Sequence, residues 1–130
     1  MKLTHVKPDA LRKDPACSQA VIVADAKKLV FIGEQNGVDA NGGVVGDDLE
    51  SQTEQAYRNV LEVRRTVGAT QENVVKQTIL VAKGQEIRSA YAAAQRVWGA
   101  QPIAVTVHVV DGFGIPGVLI GFEAVCALGA

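Results

Sequence analysis

The chain has 130 residues and a mass of 13.7 kDa, a length that buries most of its apolar surface around one core without disulfide or metal staples, so residues 1–130 are expected to form a single domain. Its 13 Lys+Arg and 14 Asp+Glu leave a formal charge of −1. The charges are spread along the chain, so no basic stripe could neutralise a phosphate backbone, and nucleic acid is a disfavoured partner.

In chain order, "MKLTHVKPDALRKDP" scatters charges through the start and has no uninterrupted apolar run of a leader. Two apolar β-branched runs, 20–24 and 28–33, flank Asp25-Ala26-Lys27 and suggest a hairpin. "GEQNGVDANGGVVGDD" follows as a long loop with the turn formers Asn36-Gly37 and Asn41-Gly42. From residue 48 the period changes: Leu49, Thr53, Ala56, Val60, Val63 and Val67 recur at three- and four-residue steps, which predicts a helix over 48–67. Asp47 and Glu50 resemble a capping box, and Gly68 is placed to end the helix in a left-handed conformation. Residues 73–82 read as a strand. Residues 84–99 read as a second helix, with Ile87, Tyr91, Ala94 and Trp98 inward and Gly99 as its stop. Two strands close the chain, 103–110 and 118–128, joined by "DGFGIPG".

The order ββ–α–β–α–ββ implies a two-layer α+β domain with both helices on one face of the sheet. Strand 103–110 is apolar or small at nearly every position, so the face without helices must also find cover, for which self-association is the usual solution. No stretch approaches the roughly 18–20 apolar residues of a membrane span. Cys17 and Cys126 lack C-x-x-C spacing and fit reduced thiols, so a cytoplasmic protein is expected. Only His5 and His108 could join them, at no finger spacing, and no metal site is expected.

Glu123 stands out. It is one carboxylate in the apolar run "GFEAVCALGA", alternating with Leu119, Gly121 and Val125, and an ionised carboxylate taken from water without a partner costs several kcal/mol. The bland alternative is a strand-edge glutamate reaching solvent. His108, on the strand face of Ala104 and Thr106, reads as structural because no second base stands at a readable spacing. Cys17 and Cys126 read as small buried residues. Arg58, Arg64 and Arg65 read as a solvated helix face.

Taken in order, "CSQAV" (17–21), "LVFIGEQNGVD" (29–39), "QTEQAYRNVLEV" (52–63), "ENVVKQTILV" (72–81) and "GFEAV" (121–125) resemble the RidA/YjgF family of reactive intermediate deaminases, also known as endoribonuclease L-PSP proteins. The resemblance implies a chorismate-mutase-like fold, a mixed sheet with two helices on one face, assembled as a homotrimeric barrel with ligand clefts between subunits. It further implies hydrolysis of reactive enamines or imines to a 2-keto acid and ammonia without a cofactor, an arginine binding the substrate carboxylate and a glutamate on the last strand orienting water.

Carried over, the glutamate falls on Glu123. The arginine falls on Ala104, two residues after the proline of "QPIAVT", and a methyl group cannot replace a guanidinium. The family's cleft positions further match Cys17, Gly33, Glu34, Gln85 and Thr106. With Glu34 and Glu123 both facing the cleft and no evident cation, a cationic, amine-bearing or polar neutral metabolite is expected in place of a 2-imino acid. Whether the chain is an enzyme stays open: the alternatives are a non-catalytic trimer that binds a metabolite or protein, and an endoribonuclease or translation inhibitor.

Overall fold

Two hydrophobic periods in the chain become two layers. The computed structural model describes residues 1–99 and 102–130. Strands β1 (Lys2–Val6), β2 (Cys17–Ser18), β3 (Ala20–Ala24) and β4 (Lys28–Asn36) precede helix α1 (Leu49–Thr66). A single 3-10 turn (Gln71–Asn73), β5 (Val74–Ala82), helix α2 (Ile87–Val97), β6 (Ile103–Val110) and β7 (Ile120–Leu128) follow. The main sheet has the order β2-β6-β5-β7-β4; β5 runs parallel to β6 and antiparallel to β7. A parallel pair needs a crossover, and α2 supplies it.

The expected hairpin over 20–33 does not form. β3 pairs with β1 in a separate two-stranded ribbon, while β4 pairs with β7, about ninety residues further on. Asp25, the single described non-glycine residue with positive φ (59°), turns the chain from ribbon to sheet. The segment Gly33–Asn36, expected as loop, continues β4 beyond a bulge between Ile32 and Gln35.

Helix α1 follows its stripe: Leu49, Thr53, Ala56 and Val60 are buried, joined by Gln52 and Tyr57. Its cap is Asp48, one residue later than expected, whose carboxylate accepts from the Ser51 backbone N–H at 2.8 Å. Gly68 (φ 75°) donates to Arg65 O and Ala69 to Arg64 O, the paired bonds of a Schellman ending. The Ser51 backbone N–H, then the Ser51 side chain, hold the Asp48 carboxyl below the usual aspartate range. A pKa lowered by folding stabilises the fold above the unfolded-state value and ceases to as pH falls through the folded one. The stability gap between wild type and Asp48→Ala should therefore be full at neutral pH and shrink on acidification, as read by urea unfolding at several pH values.

The core lies between the helices and one sheet face, where Phe122 stacks 4.0 Å from Tyr57, whose ring is 5.4 Å from Trp98. Ile32, Val60, Val74, Val81, Ile120 and Cys126 pack around them. Gln52, with no exposed surface, ties three segments together. Its Nε2 donates to Gly46 O at 3.2 Å and Gly117 O at 2.9 Å, and its Oε1 accepts from Leu119 N at 2.8 Å. Gly37 passes so close that an added Cβ would lie 2.6 Å from Gln52 Cα.

Candidate functional site

The other sheet face carries no helix. Residues alternate along a strand, so register decides which side chains share it. Thr78 of β5 lies opposite Glu123 on β7 and Thr106 on β6, which makes one transverse row. The next row runs Phe31, Val125, Lys76, Ala104 and Ser18 across β4, β7, β5, β6 and β2. Phe31 is 74% exposed and Leu29 55%, so this face is apolar and open in the single chain.

Glu123 is exposed on this face, at the edge of a cavity of about 300 Å³ lined by Phe31, Gly33, Lys76, Thr78 and Val125. Lys76 corrects the expectation of a face with acids and no cation. It stands opposite Ala104 in the parallel β5–β6 register, and its Nζ donates to Thr106 Oγ1 at 2.5 Å. The small side chain at 104 leaves the lysine room to lean along the sheet towards the row of Glu123. Arg58 and Arg64 lie in the helix layer, away from this face. Arg58 Nη2 donates to Glu54 Oε1 at 2.9 Å, and the Arg64 guanidinium lies 5.5 Å from the centre of the Trp98 ring.

Glu34 reaches the same face by a different route. Past the β4 bulge its carboxyl lies over Gly121, where an added Cβ would come within 2.7 Å of it, and Asn36 Nδ2 donates to Glu34 Oε2 at 3.2 Å. Gly121 and Glu123 are alternate residues of β7, so the two acids are neighbours on one face. Thr106, half-buried, holds Lys76; Gly33 lines the cavity; Ala104 lies beneath the lysine.

Two expected cleft residues lie elsewhere in the chain. Gln85 is exposed in the loop between β5 and α2, beyond the Ala82 end of the strand. Cys17 pairs with Ile103 and lines a cavity on the helix side of the sheet, while its neighbour Ser18, whose hydroxyl donates to Pro102 O, shares the row of Ala104. Burial pushes the Cys126 thiol up, so it stays protonated in the core. Alkylation of the folded protein should label the half-buried Cys17 alone, and release of the second thiol should follow global unfolding, read by mass spectrometry. Among the described residues no cluster of three metal-ligating side chains occurs, and no helix is long and apolar enough to cross a membrane.

Two helices on one face of a mixed sheet, with Glu123, Glu34 and Lys76 on the other, define an α+β protein that exposes a small polar site on an apolar sheet face. The family model described as endoribonuclease L-PSP matches residues 9–127, and the chain belongs to that family, the RidA/YjgF group. Among solved structures, the Rid-family protein of unknown function YyfB from Yersinia pestis is 29% identical with a TM-score of 0.86, over 98% of this chain and 100% of that one. Rv2704 of Mycobacterium tuberculosis, a YjgF/YER057c/UK114 family member, is 24% identical with a TM-score of 0.62 over 98% and 100%, a likeness of fold. No curated protein matches the chain significantly.

Proposed function

We propose that the cavity beside Glu123 takes a small imine or enamine bearing a carboxylate and hydrolyses it, with Lys76 in the role left open by Ala104. The carrying observation is the register: Lys76 stands opposite Ala104, its ammonium held at Thr106, which lies in the row of Glu123. Under this reading Lys76 pairs with the substrate carboxylate and Glu123 accepts a proton from water as its oxygen adds to the imine carbon. The imine nitrogen takes that proton to give a neutral carbinolamine. Glu123 then carries the hydroxyl proton to nitrogen as C=O forms, the C–N bond breaks, and ammonia leaves with a 2-keto acid, an enamine entering the same route after tautomerising to its imine. Every atom of the product comes from the substrate and one water, and no cofactor enters.

A lysine is a single point charge and cannot reproduce the two parallel bonds of a guanidinium. Glu34 adds a second carboxylate to the same face. Both features favour the rival reading, a non-catalytic binding module for a metabolite or protein. RNA cleavage, which the family's name carries, has less support, since one lysine among two acids is a poor seat for a polyphosphate chain. Mixing the protein with an amino-acid oxidase and following imine decay separates the first two: acceleration supports hydrolysis, and none with any amino acid, basic ones included, leaves the binding module.

The open face is also the expected contact surface of a cytoplasmic homotrimer, with the cavity at its subunit boundary. Phe31→Glu, which sets a charge on the most exposed large apolar side chain described there, should convert the assembly to monomers in light scattering while circular dichroism stays unchanged. An unaltered mass would place the contact elsewhere.

A further inference from the structure

The stripe expected to pack α2 onto the sheet does face it, but across a gap. Ile87, Tyr91, Ala94 and Trp98 form one wall of a cavity of about 160 Å³ whose other wall is the helix side of β5, β6 and β7. The residues of α2 that are fully buried are Ala90 and Ala93. Tyr91, expected inward, is 53% exposed and borders the mouth with Cys17 and Asp14. Ile79, Val81, Val105, Val107, Ile120 and Phe122 make the sheet wall apolar.

A buried amide interrupts that apolar lining. Gln77 is 3% exposed, its Oε1 accepts from the Tyr57 hydroxyl at 3.2 Å, and among the described residues its Nε2 has no hydrogen-bond partner. Burial raises the Tyr57 pKa and keeps the phenol protonated, so it remains a donor. With the amide oxygen on the phenol, the NH₂ group is left for the cavity. A buried donor without a partner costs about 1–3 kcal/mol. Water is a poor remedy, since it needs two to four polar partners and, apart from the Tyr57 hydroxyl, the described lining around Gln77 is apolar.

We propose that this cavity binds a compact neutral ring compound bearing a carbonyl or hydroxyl oxygen, with Gln77 Nε2 donating to that oxygen. The size agrees, since an apolar cavity of about 150 Å³ holds a benzene ring. Neutrality follows from the lining, because an ion would lose its hydration to apolar walls. The aromatic rings of Tyr57, Trp98 and Phe122 suit a flat or chair-like six-membered ring. The site lies on the opposite side of the sheet from Glu123, so it stands or falls separately from imine hydrolysis.

Cyclohexanone and benzene, matched in size and differing in the acceptor, are the probes, followed by methyl resonances of Ile79 and Val107 in the full chain. Cyclohexanone should produce saturable shifts and bind the wild type more tightly than benzene. Gln77→Leu should weaken cyclohexanone roughly three- to tenfold and leave benzene unchanged or tighter. Ala94→Phe, which fills the cavity and keeps the donor, should abolish both without lowering the thermal midpoint. The absence of saturable shifts in wild type, equal affinity for the two probes, or shifts that persist in folded Ala94→Phe would each overturn the proposal. These wild-type and Ala94→Phe readouts decide the matter even where Gln77→Leu fails to fold.

Discussion

Gln52→Leu should lower the unfolding midpoint by roughly 15 °C, although leucine fits the helix and the volume changes little. The side chain of Gln52 is the shared partner of Gly46 O, Gly117 O and Leu119 N. Leucine leaves three backbone groups unpaired together. At about 1–3 kcal/mol for each group that stays buried, the loss is of order 4 kcal/mol. That is a large part of the roughly 5–15 kcal/mol that keeps a domain folded. Gln52→Glu is the discriminating control. It keeps an acceptor for Leu119 N but turns an ionised oxygen towards two carbonyls, so it should be nearly as unstable at neutral pH and partly recover when acid protonates it. Calorimetry checks both; a fall of a degree or two for Gln52→Leu would mean that water replaces the amide.

The second large effect concerns Lys76. If it pairs with the substrate carboxylate, Lys76→Met should reduce kcat/KM for imine hydrolysis about 30- to 5,000-fold, the range for removing one partner of a desolvated charge pair. Thermal stability should change little, because the Nζ anchor is a single bond to Thr106 Oγ1. Lys76→Arg should keep part of the activity. The sharper experiment moves the charge across the register: Ala104→Arg alone sets two cations opposite each other, whereas Lys76→Ala with Ala104→Arg restores one cation on the same face. Activity regained in the double variant and absent from Lys76→Ala supports the assignment. Unchanged activity in Lys76→Met would remove the lysine from the mechanism.

The parts of the fold that were legible are those dictated by local rules. Both helices stop at Gly68 and Gly99, whose φ values of 75° and 76° few other residues tolerate. The α1 stripe needed the 3.6-residue period alone. Strand partners were not legible in the same way: 20–24 and 28–33 are adjacent and apolar, but pairing is decided by the sheet as a whole, and β7 is a better-buried partner for β4 than β3. Glu123 was readable because a carboxylate interrupts an apolar strand. Lys76 interrupts "NVVKQTILVA" in the same way, but a lysine's long stem lets its tip reach solvent from almost any strand position, so the interruption alone does not mark a site. Gln52 had a signal too, three residues after Leu49 on the buried stripe. Cys17 could not be placed from sequence, because a two-residue strand carries no alternation to say which face each residue takes.

The pairing of β4 with β7 also sets an order of assembly. β4 touches one strand of the main sheet, and that partner is made roughly ninety residues later, so loop closure must precede any reward from the pairing. Until then Phe31 and Leu29 belong to an unpaired apolar edge, the kind of surface that captures other chains during synthesis. The same strand carries Glu34 and Gly33, so the face that holds Glu123 is completed in the last step. A nascent chain stalled before β7 would lack Ile120, Phe122 and Cys126 from the core under its helices and would present that edge to chaperones.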